Sequence, residues 1–460
     1  MPVNEILAAA MLLSVFVIMM FGYPVGFSLA GVGVLFAFLG YTIDAFDMIF
    51  FSALPARFFG VMTNEVLIAV PLFVFMGITL ERSRIAEDLL VTLGQCFGPL
   101  HGGLALSVTI VGMLLAATTG IVGATVVTMG MLSLPTMLRA GYDPKLACGS
   151  ICASGTLGQI IPPSIVLVLL GDSLAGMYSE SQLAKGNFAV EPFSVIDLFA
   201  GAFLPGMVLV MLYLGWQVFM AVARPASSPP FYDPSMGGLR LARDIFRVLL
   251  PPLGLVVAVL GSILAGLATP TEAAAFGAVG AMTLAAMRRM LTRKALTEIV
   301  RSTTRTSCMV FGILLGASVF SLTFRGLGGD ALVEEFLTDL PGGTTMALFV
   351  IMLLIFFLGF ILDFVEIVFI VVPIVAPALL GAGVDPVWLG VMIAINLQTS
   401  FLTPPFGWAL FYLRGVAPPE IKTTQIYRGV LPFVALQLVG LGLVATFPQL
   451  STWLPGLLFN

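Results

Sequence analysis

Two acids, Asp363 and Glu366, stand three residues apart inside an apolar run from 344 to 380. A carboxylate in hydrocarbon costs roughly 2.5 kcal/mol or more on insertion scales, so both are functional candidates. At i, i+3 spacing they share a face if the turn is helical. Two readings are open: one or both hold a coupling cation or proton, or the pair caps N–H groups at a helix start. Their stretch, Gly359 to Glu366, is one of four apolar segments interrupted by turn-formers or polar groups. The others are Thr118-Thr119-Gly120-Ile121-Val122-Gly123-Ala124-Thr125, Ser154-Gly155-Thr156-Leu157-Gly158-Gln159 before Ile161-Pro162-Pro163-Ser164, and Asn396 to Thr403 before Pro404-Pro405. Half-helices that end inside a membrane expose carbonyls that suit Na⁺ and N–H groups that suit a carboxylate, and Thr and Ser hydroxyls add neutral ligands. Without a carboxylate cluster, such a site favours a dehydrated monovalent cation over Mg²⁺ or Ca²⁺. The candidate substrate- and ion-binding residues are therefore Thr118, Thr119, Gly120, Gly123, Thr125, Ser154, Gly155, Thr156, Gly158, Asp363, Glu366, Asn396, Gln398, Thr399 and Thr403. Na⁺ is expected at Thr119, Gly120, Ser154, Thr156, Thr399 and Thr403.

The elements that position these groups are membrane helices. Of 460 residues, 59% are apolar and 10% charged, too few charges for a solvated surface. A net charge of −4 with no basic, aromatic-interleaved patch excludes nucleic acid as a partner. One histidine, His101, and Cys96, Cys148, Cys152 and Cys308 without a Cys-x-x-Cys pair provide no zinc or haem ligand set, and no organic cofactor is expected. An intramembrane protease would need a Ser/His, paired-Asp or metal constellation, and a primary pump a phosphate-cradling Gly-x-x-x-x-Gly-Lys-Ser/Thr loop. The sequence holds neither, so the chain is read as no enzyme, driven by an ion gradient or by a separate subunit. Thr269-Pro270-Thr271-Glu272 reads as a capping box, which gives Glu272 a structural role. The start Met1-Pro2-Val3-Asn4-Glu5 lacks the basic residues of a signal peptide, so the first apolar stretch is expected to be a retained span.

At about 20 apolar residues per crossing, spans are expected at 4–21, 24–40, 62–80, 145–171, 198–222, 249–266, 270–287, 306–323, 387–413 and 430–448. Segments 102–138 and 344–380 are interrupted in the middle and read as re-entrant hairpins. Pro135, Gly141, Asp143, Pro144, Pro162 and Pro163 recur as Pro377, Gly383, Asp385, Pro386, Pro404 and Pro405, each 242 positions on (377 − 135). The register predicts a duplication.

Loop Lys and Arg mark the cytoplasmic side. Arg288, Arg289, Arg293, Lys294, Arg301 and Arg305 put that loop inside, whereas its counterpart, 41–61, carries Asp44 and Asp47 with Arg57 alone. The two copies are thus expected to be inverted. With every span flipping the side and each hairpin returning, 17 of the 20 basic residues fall inside and only Arg57, Lys185 and Arg325 outside. The predicted fold is an all-α polytopic membrane protein of two inverted-topology repeats, about ten transmembrane helices plus two re-entrant hairpins. Residues 1–224 form the first repeat, with hairpin 102–138 and broken helix 145–171, and 225–247 a cytoplasmic linker. Residues 248–460 form the second, with hairpin 344–380 and broken helix 387–413. Both termini are expected outside.

Gly155-Thr156-Leu157-Gly158-Gln159-Ile160-Ile161-Pro162-Pro163-Ser164 resembles the GTLG-x-x-IPPS signature of the large membrane subunit of tripartite ATP-independent periplasmic (TRAP) transporters. Gly383-Val384-Asp385-Pro386, Asn396-Leu397, Thr403-Pro404-Pro405-Phe406-Gly407, Gly266 to Ala273 and Pro71-Leu72-Phe73 are similar to the family too. The resemblance implies an elevator-type, Na⁺-coupled symporter of the bacterial inner membrane that imports organic acids (carboxylates). Its partners would be a small TRAP membrane subunit and a periplasmic substrate-binding protein. One departure is the hairpin tip Thr118 to Gly123, where many members are Ser-rich. The alternative is a stand-alone ion-coupled anion transporter or channel without a binding protein.

Overall fold

The computed structural model describes residues 2–83, 85–189, 192–231, 243 and 245–459, with Thr118 and Thr119 described by backbone alone. Arg84, Arg240 and most of the linker at 225–247 lie outside the described residues. Every regular element among the described residues is helical. Helices of the first half are α1 Val3–Met19, α2 Val25–Thr42, α3 Leu54–Thr63, α4 Glu65–Arg82, α5 Ile85–Cys96, α6 Gly103–Thr119, α7 Val122–Arg139, α8 Pro144–Thr156, α9 Ile165–Ala184 and α10 Val195–Ala223. Those of the second half are α11 Leu250–Leu264, α12 Pro270–Met287, α13 Arg293–Gly326, α14 Gly329–Thr338, α15 Gly343–Leu358, α16 Phe364–Gly381, α17 Pro386–Leu402, α18 Trp408–Val416, α19 Thr423–Thr446 and α20 Gln449–Phe459.

Six helices among the described residues are long and apolar enough to cross a membrane: α2, α7, α10, α13, α16 and α19. Residues 48–63 and α4, bent by 47°, make a seventh if counted as one span. Shorter apolar helices include α1, α11, α15 and α17, at the expected windows 4–21, 249–266, 344–380 and 387–413. Large apolar side chains such as Leu13, Phe27, Val222 and Phe349 stand exposed on the outer faces, as lipid contact requires.

Local chemistry explains the boundaries. Asp143 accepts from the Lys145 N–H at 3.0 Å and Asp385 from the Trp388 N–H at 2.8 Å, each followed by a proline at the first helical position. The glycines two residues earlier, Gly141 and Gly383, have φ of 84° and 89°, the left-handed region that a side chain disfavours. The Pro162-Pro163 and Pro404-Pro405 peptides are both cis. The segment 41–61, expected as a loop, contains a 3₁₀ turn at Met48–Ala53 and α3, started by Asp47 accepting from the Ile49 N–H at 2.9 Å.

Two groups of helices result. α2 packs along α13 and α4 along α12, with α11 beside α12; these form a frame. A Cβ on Gly26 would strike the Gly312 carbonyl and one on Gly316 the Gly26 carbonyl, which is how small residues bring membrane helices together. In the second group α6 and α7 make the first hairpin against α8, α15 of the second hairpin packs on α17 and α16 on α9, and α10 and α19 buttress both broken helices.

Candidate functional site

Each hairpin tip meets the start or break of a broken helix. The tip residue Gly120 has φ +60°, and a Cβ there would lie 2.9 Å from the backbone nitrogen of Ile165, the first residue of α9. Gly123, in the first turn of α7, faces the Tyr412 ring on α18: a Cβ would stand 3.0 Å from it. At the other tip, Phe360 lies 6.3 Å from Phe406, ring centre to ring centre, beside the 403–407 break. The first hairpin thus touches both broken helices.

Four helices start at these tips and breaks, α7, α9, α16 and α18, and they differ in how their first N–H groups are used. Ile121, Ser164 and Gly407 precede α7, α9 and α18 without a side-chain cap; the Ser164 hydroxyl donates instead to the Gln159 carbonyl at 3.0 Å. Asp363 and Glu366, by contrast, form a capping box on α16. Asp363 Oδ1 accepts from the Phe364 N–H at 2.7 Å, and Glu366 Oε2 accepts from the Asp363 N–H at 3.0 Å. An exposed helix start attracts an anion, and one already holding two carboxylates does not. The anion-receptive ends are therefore α7, α9 and α18.

The opposite ends, of α6, α8, α15 and α17, present carbonyl oxygens. Here the structure corrects the expected unwinding: α8 stays helical to Thr156 with a 3₁₀ turn at Leu157–Gln159, and α17 is unbroken to Leu402. Ser154, Gly155, Asn396, Gln398 and Thr399 thus sit in regular helix, and the irregular backbone begins later. Their hydroxyls bond back into their own helices: Ser154 to the Ile151 carbonyl at 3.1 Å, Thr156 to Ala153 at 2.8 Å, Thr399 to Ile395 at 2.8 Å and Thr403 to Thr399 at 2.7 Å. This satisfies the hydroxyl hydrogen and leaves the oxygen lone pairs for a donor or cation. Thr125 likewise donates to the Ile121 carbonyl at 3.1 Å. Asn396 is committed to the hairpin, donating to the Met352 carbonyl at 2.7 Å. The Thr118 and Thr119 side chains lie outside the described residues.

A buried polar network ties the two broken helices together. Gln437 Nε2 on α19 donates to Thr156 Oγ1 at 3.3 Å and to the Tyr213 hydroxyl oxygen at 2.7 Å; Gln398 Nε2 on α17 reaches the same Tyr213 oxygen at 3.2 Å. Thr156 and Gln398 occupy equivalent positions at the 242 spacing (398 − 156), so the network joins the two expected repeats at matching points.

Over residues 12–450 the chain matches the family model described as "Tripartite ATP-independent periplasmic transporter, DctM component". The chain belongs to this family. It is 31% identical to the C4-dicarboxylate TRAP transporter large permease protein of Rhodobacter capsulatus over 404 residues, 87% of this chain and 89% of the relative. It is 30% identical to the sialic acid TRAP transporter large permease protein of Vibrio cholerae (95% of both chains), and 28% identical to the ectoine/5-hydroxyectoine TRAP transporter large permease protein of Ruegeria pomeroyi (99% and 100%). The YdaH transporter of Alcanivorax borkumensis shares the fold at a TM-score of 0.61, with 17% identity over 87% of this chain and 89% of that one. MtrF of Neisseria gonorrhoeae follows at 0.57, with 13% identity over 87% and 83%.

In this TRAP large permease subunit, polar contacts also run from the frame to the hairpin group. Asn64, the N-cap of α4, donates to Asp172 Oδ1 on α9 at 2.9 Å. At the other end of α4, Glu81 Oε1 accepts from the Thr128 hydroxyl on α7 at 2.7 Å. Arg325 on α13 pairs with Glu180 on α9 at 3.3 Å and with Asp330 at 3.0 Å. Glu272 is a cap as read from the sequence: its Oε2 accepts from the Thr269 N–H at 2.8 Å and Thr269 Oγ1 from the Glu272 N–H at 3.2 Å. Arg414 donates to the Ile421 carbonyl, and His101 is exposed. The sequence reading passed over Asn64, Asp172, Tyr213, Gln217 and Gln437. A lone amide in each of the apolar windows 198–222 and 430–448 was the signal available for the last two.

Proposed function

We propose that this permease subunit imports an organic carboxylate by Na⁺ symport across the bacterial inner membrane. In this reading a periplasmic binding protein delivers the solute, and a small TRAP membrane subunit braces the frame. The single observation that carries it is the polarity of the tip region: three uncapped helix starts for an anion beside helix ends rich in neutral oxygen for a cation. The N-termini of α7, α9 and α18 would hold the carboxylate, and lone pairs of Ser154, Thr156, Thr399 and Thr403 with nearby carbonyls would hold Na⁺. Binding each ion makes the other cheaper to bury, because a compensated pair crosses the low-dielectric interior at lower cost than either charge alone. That is the physical basis of coupling.

Transport would proceed as the hairpin group slides along α4 and α13, carrying both ions, in the manner of an elevator. The solute class is supported by the C4-dicarboxylate and sialic acid named for relatives; ectoine, also named, carries a carboxylate as well. The test is uptake of labelled succinate and N-acetylneuraminate by vesicles holding the permease and its small subunit, with and without the binding protein. Uptake of one carboxylate that requires the binding protein supports the reading. Equal uptake without it favours the stand-alone transporter.

A further inference from the structure

Two ion clusters hold matching positions at the 242 spacing and are expected on opposite sides of the membrane. On the expected outer side, Arg325 of the frame lies between Asp330, at 3.0 Å, and Glu180 of α9 in the hairpin group, at 3.3 Å. The counterparts of Arg325, Asp330 and Glu180 are Ser83, Asp88 and Lys422 (325 − 242, 330 − 242 and 180 + 242). Asp88 on α5 pairs with Arg288 at the end of α12. Lys422, just before α19, is exposed and makes no ion pair among the described residues. The other acid by which α9 meets the frame shows the same inversion of sign. Asp172 accepts from Asn64 at 2.9 Å, and its counterpart is Arg414 (172 + 242), which donates to the Ile421 carbonyl. A cytoplasmic excess of bases accounts for Lys422 and Arg414 alone. It does not account for an acid, Asp88, at the position equivalent to Asp330. The frame obeys the spacing, since α2 against α13 is the counterpart of α12 against α4. Its contacts with the hairpin group do not: α4 packs along α6 and α9, whereas α13 lies against α16. A symmetric frame that holds the moving group asymmetrically is one of two related states, and exchanging the roles of the repeats gives the other.

We propose that Glu180 and Lys422 are the two halves of an alternating ion latch: Glu180 on Arg325 holds the state seen here, and Lys422 on Asp88 holds the opposite one. The latch rests on the sliding of the hairpin group proposed above and adds the residues that register its end points. In both states the pairs Arg325 with Asp330 and Arg288 with Asp88 persist, and the moving group supplies or withdraws a third charge. Outside, one cation sits between two anions; inside, one anion comes to sit between two cations. The Arg325 cluster borders a cavity of about 630 Å³ that Lys185 and Glu334 also line, so the contact can part without breaking a packed core. An exposed ion pair contributes little to stability, yet a bias of a few fold sets which end point a two-state carrier occupies.

The test is crosslinking of the full-length chain in vesicles, with the exposed Cys96 and Cys308 replaced by serine. Asp88→Cys with Lys422→Cys is treated with a short bifunctional thiol reagent, and linkage is read by peptide mass spectrometry. The pair is expected to link. Adding Glu180→Gln, which removes the outer contact, is expected to speed linking about twofold to fivefold, the bias one exposed ion pair can supply. Reciprocally, Lys422→Gln is expected to speed linking of cysteines at Asn64 and Asp172 by a similar factor. Glu298→Gln, which breaks an ion pair with Arg82 inside the frame, is expected to change neither rate. If Asp88→Cys does not fold, Glu87→Cys, also exposed, takes its place. No linkage to position 422, or rates that Glu180→Gln and Lys422→Gln leave unchanged, would overturn the latch alone, provided that the Asn64–Asp172 crosslink stops uptake. Uptake that survives that crosslink would overturn the sliding and the latch with it.

Discussion

Glu366 reaches back 3.0 Å to the backbone N–H of Asp363, and Asp363 in turn caps the Phe364 N–H at 2.7 Å. Of the two roles open to this pair in the sequence, the geometry supports the cap. Asp363→Asn and Glu366→Gln keep an oxygen acceptor, so both are expected to retain the wild-type Na⁺ midpoint and pH profile of uptake. Glu366→Ala removes the acceptor and is expected to cost about 1 kcal/mol of stability, a typical cap. A shifted Na⁺ midpoint or pH profile in either conservative variant would return the coupling role to these acids.

The bond from Asn64 to Asp172 ties the frame to the first broken helix and must break if the hairpin group slides. Cysteines at both positions, in a chain whose exposed Cys96 and Cys308 are replaced by serine, are expected to be joined by a short bifunctional thiol reagent. That link should abolish uptake, and a cleavable linker should restore it on reduction. Undiminished uptake by the crosslinked protein would show that α4 and α9 do not move past each other.

Gly120 combines φ +60° with a backbone nitrogen 2.9 Å from where a Cβ would sit. Gly120→Ala therefore adds both strain and a clash, roughly 1–3 kcal/mol at the tip. Uptake is expected to fall at least about tenfold, the rate equivalent of 1.4 kcal/mol, while the protein remains folded by gel filtration. Full activity would place the tip away from the transport path.

The charge split predicts that the linker after α10 is cytoplasmic. Ala226 is exposed, whereas neighbouring Ser228 is buried and unsuited to labelling. An Ala226→Cys variant in the same Cys96/Cys308-free background is expected to react with an impermeant maleimide only after the membrane is opened. Labelling in intact cells would invert the topology.

The elements at the site were legible where local chemistry writes them. Asp143-Pro144 and Asp385-Pro386 announce helix starts, Gly141 and Gly383 the turns before them, and the interrupted apolar runs the hairpins. The extent of the breaks was not, because Asn396 to Leu402 contains no proline or glycine and nothing local stops a helix until Pro404. Nor was the Tyr213, Gln398 and Gln437 network, since its bonds span 185 and 224 residues and leave no local pattern. The capping role of Asp363 and Glu366 was visible as one of two options; only the backbone geometry separates them.

The central claim is that a Na⁺ gradient drives solute uptake through this subunit. The direct measurement is initial uptake of whichever labelled carboxylate the binding protein delivers, in vesicles containing permease, small subunit and binding protein. An inward Na⁺ gradient is compared with choline at fixed membrane potential and pH. The account predicts concentrative uptake in Na⁺ that collapses in choline. Equal concentrative uptake in both media, or equilibration without accumulation in either, would contradict it.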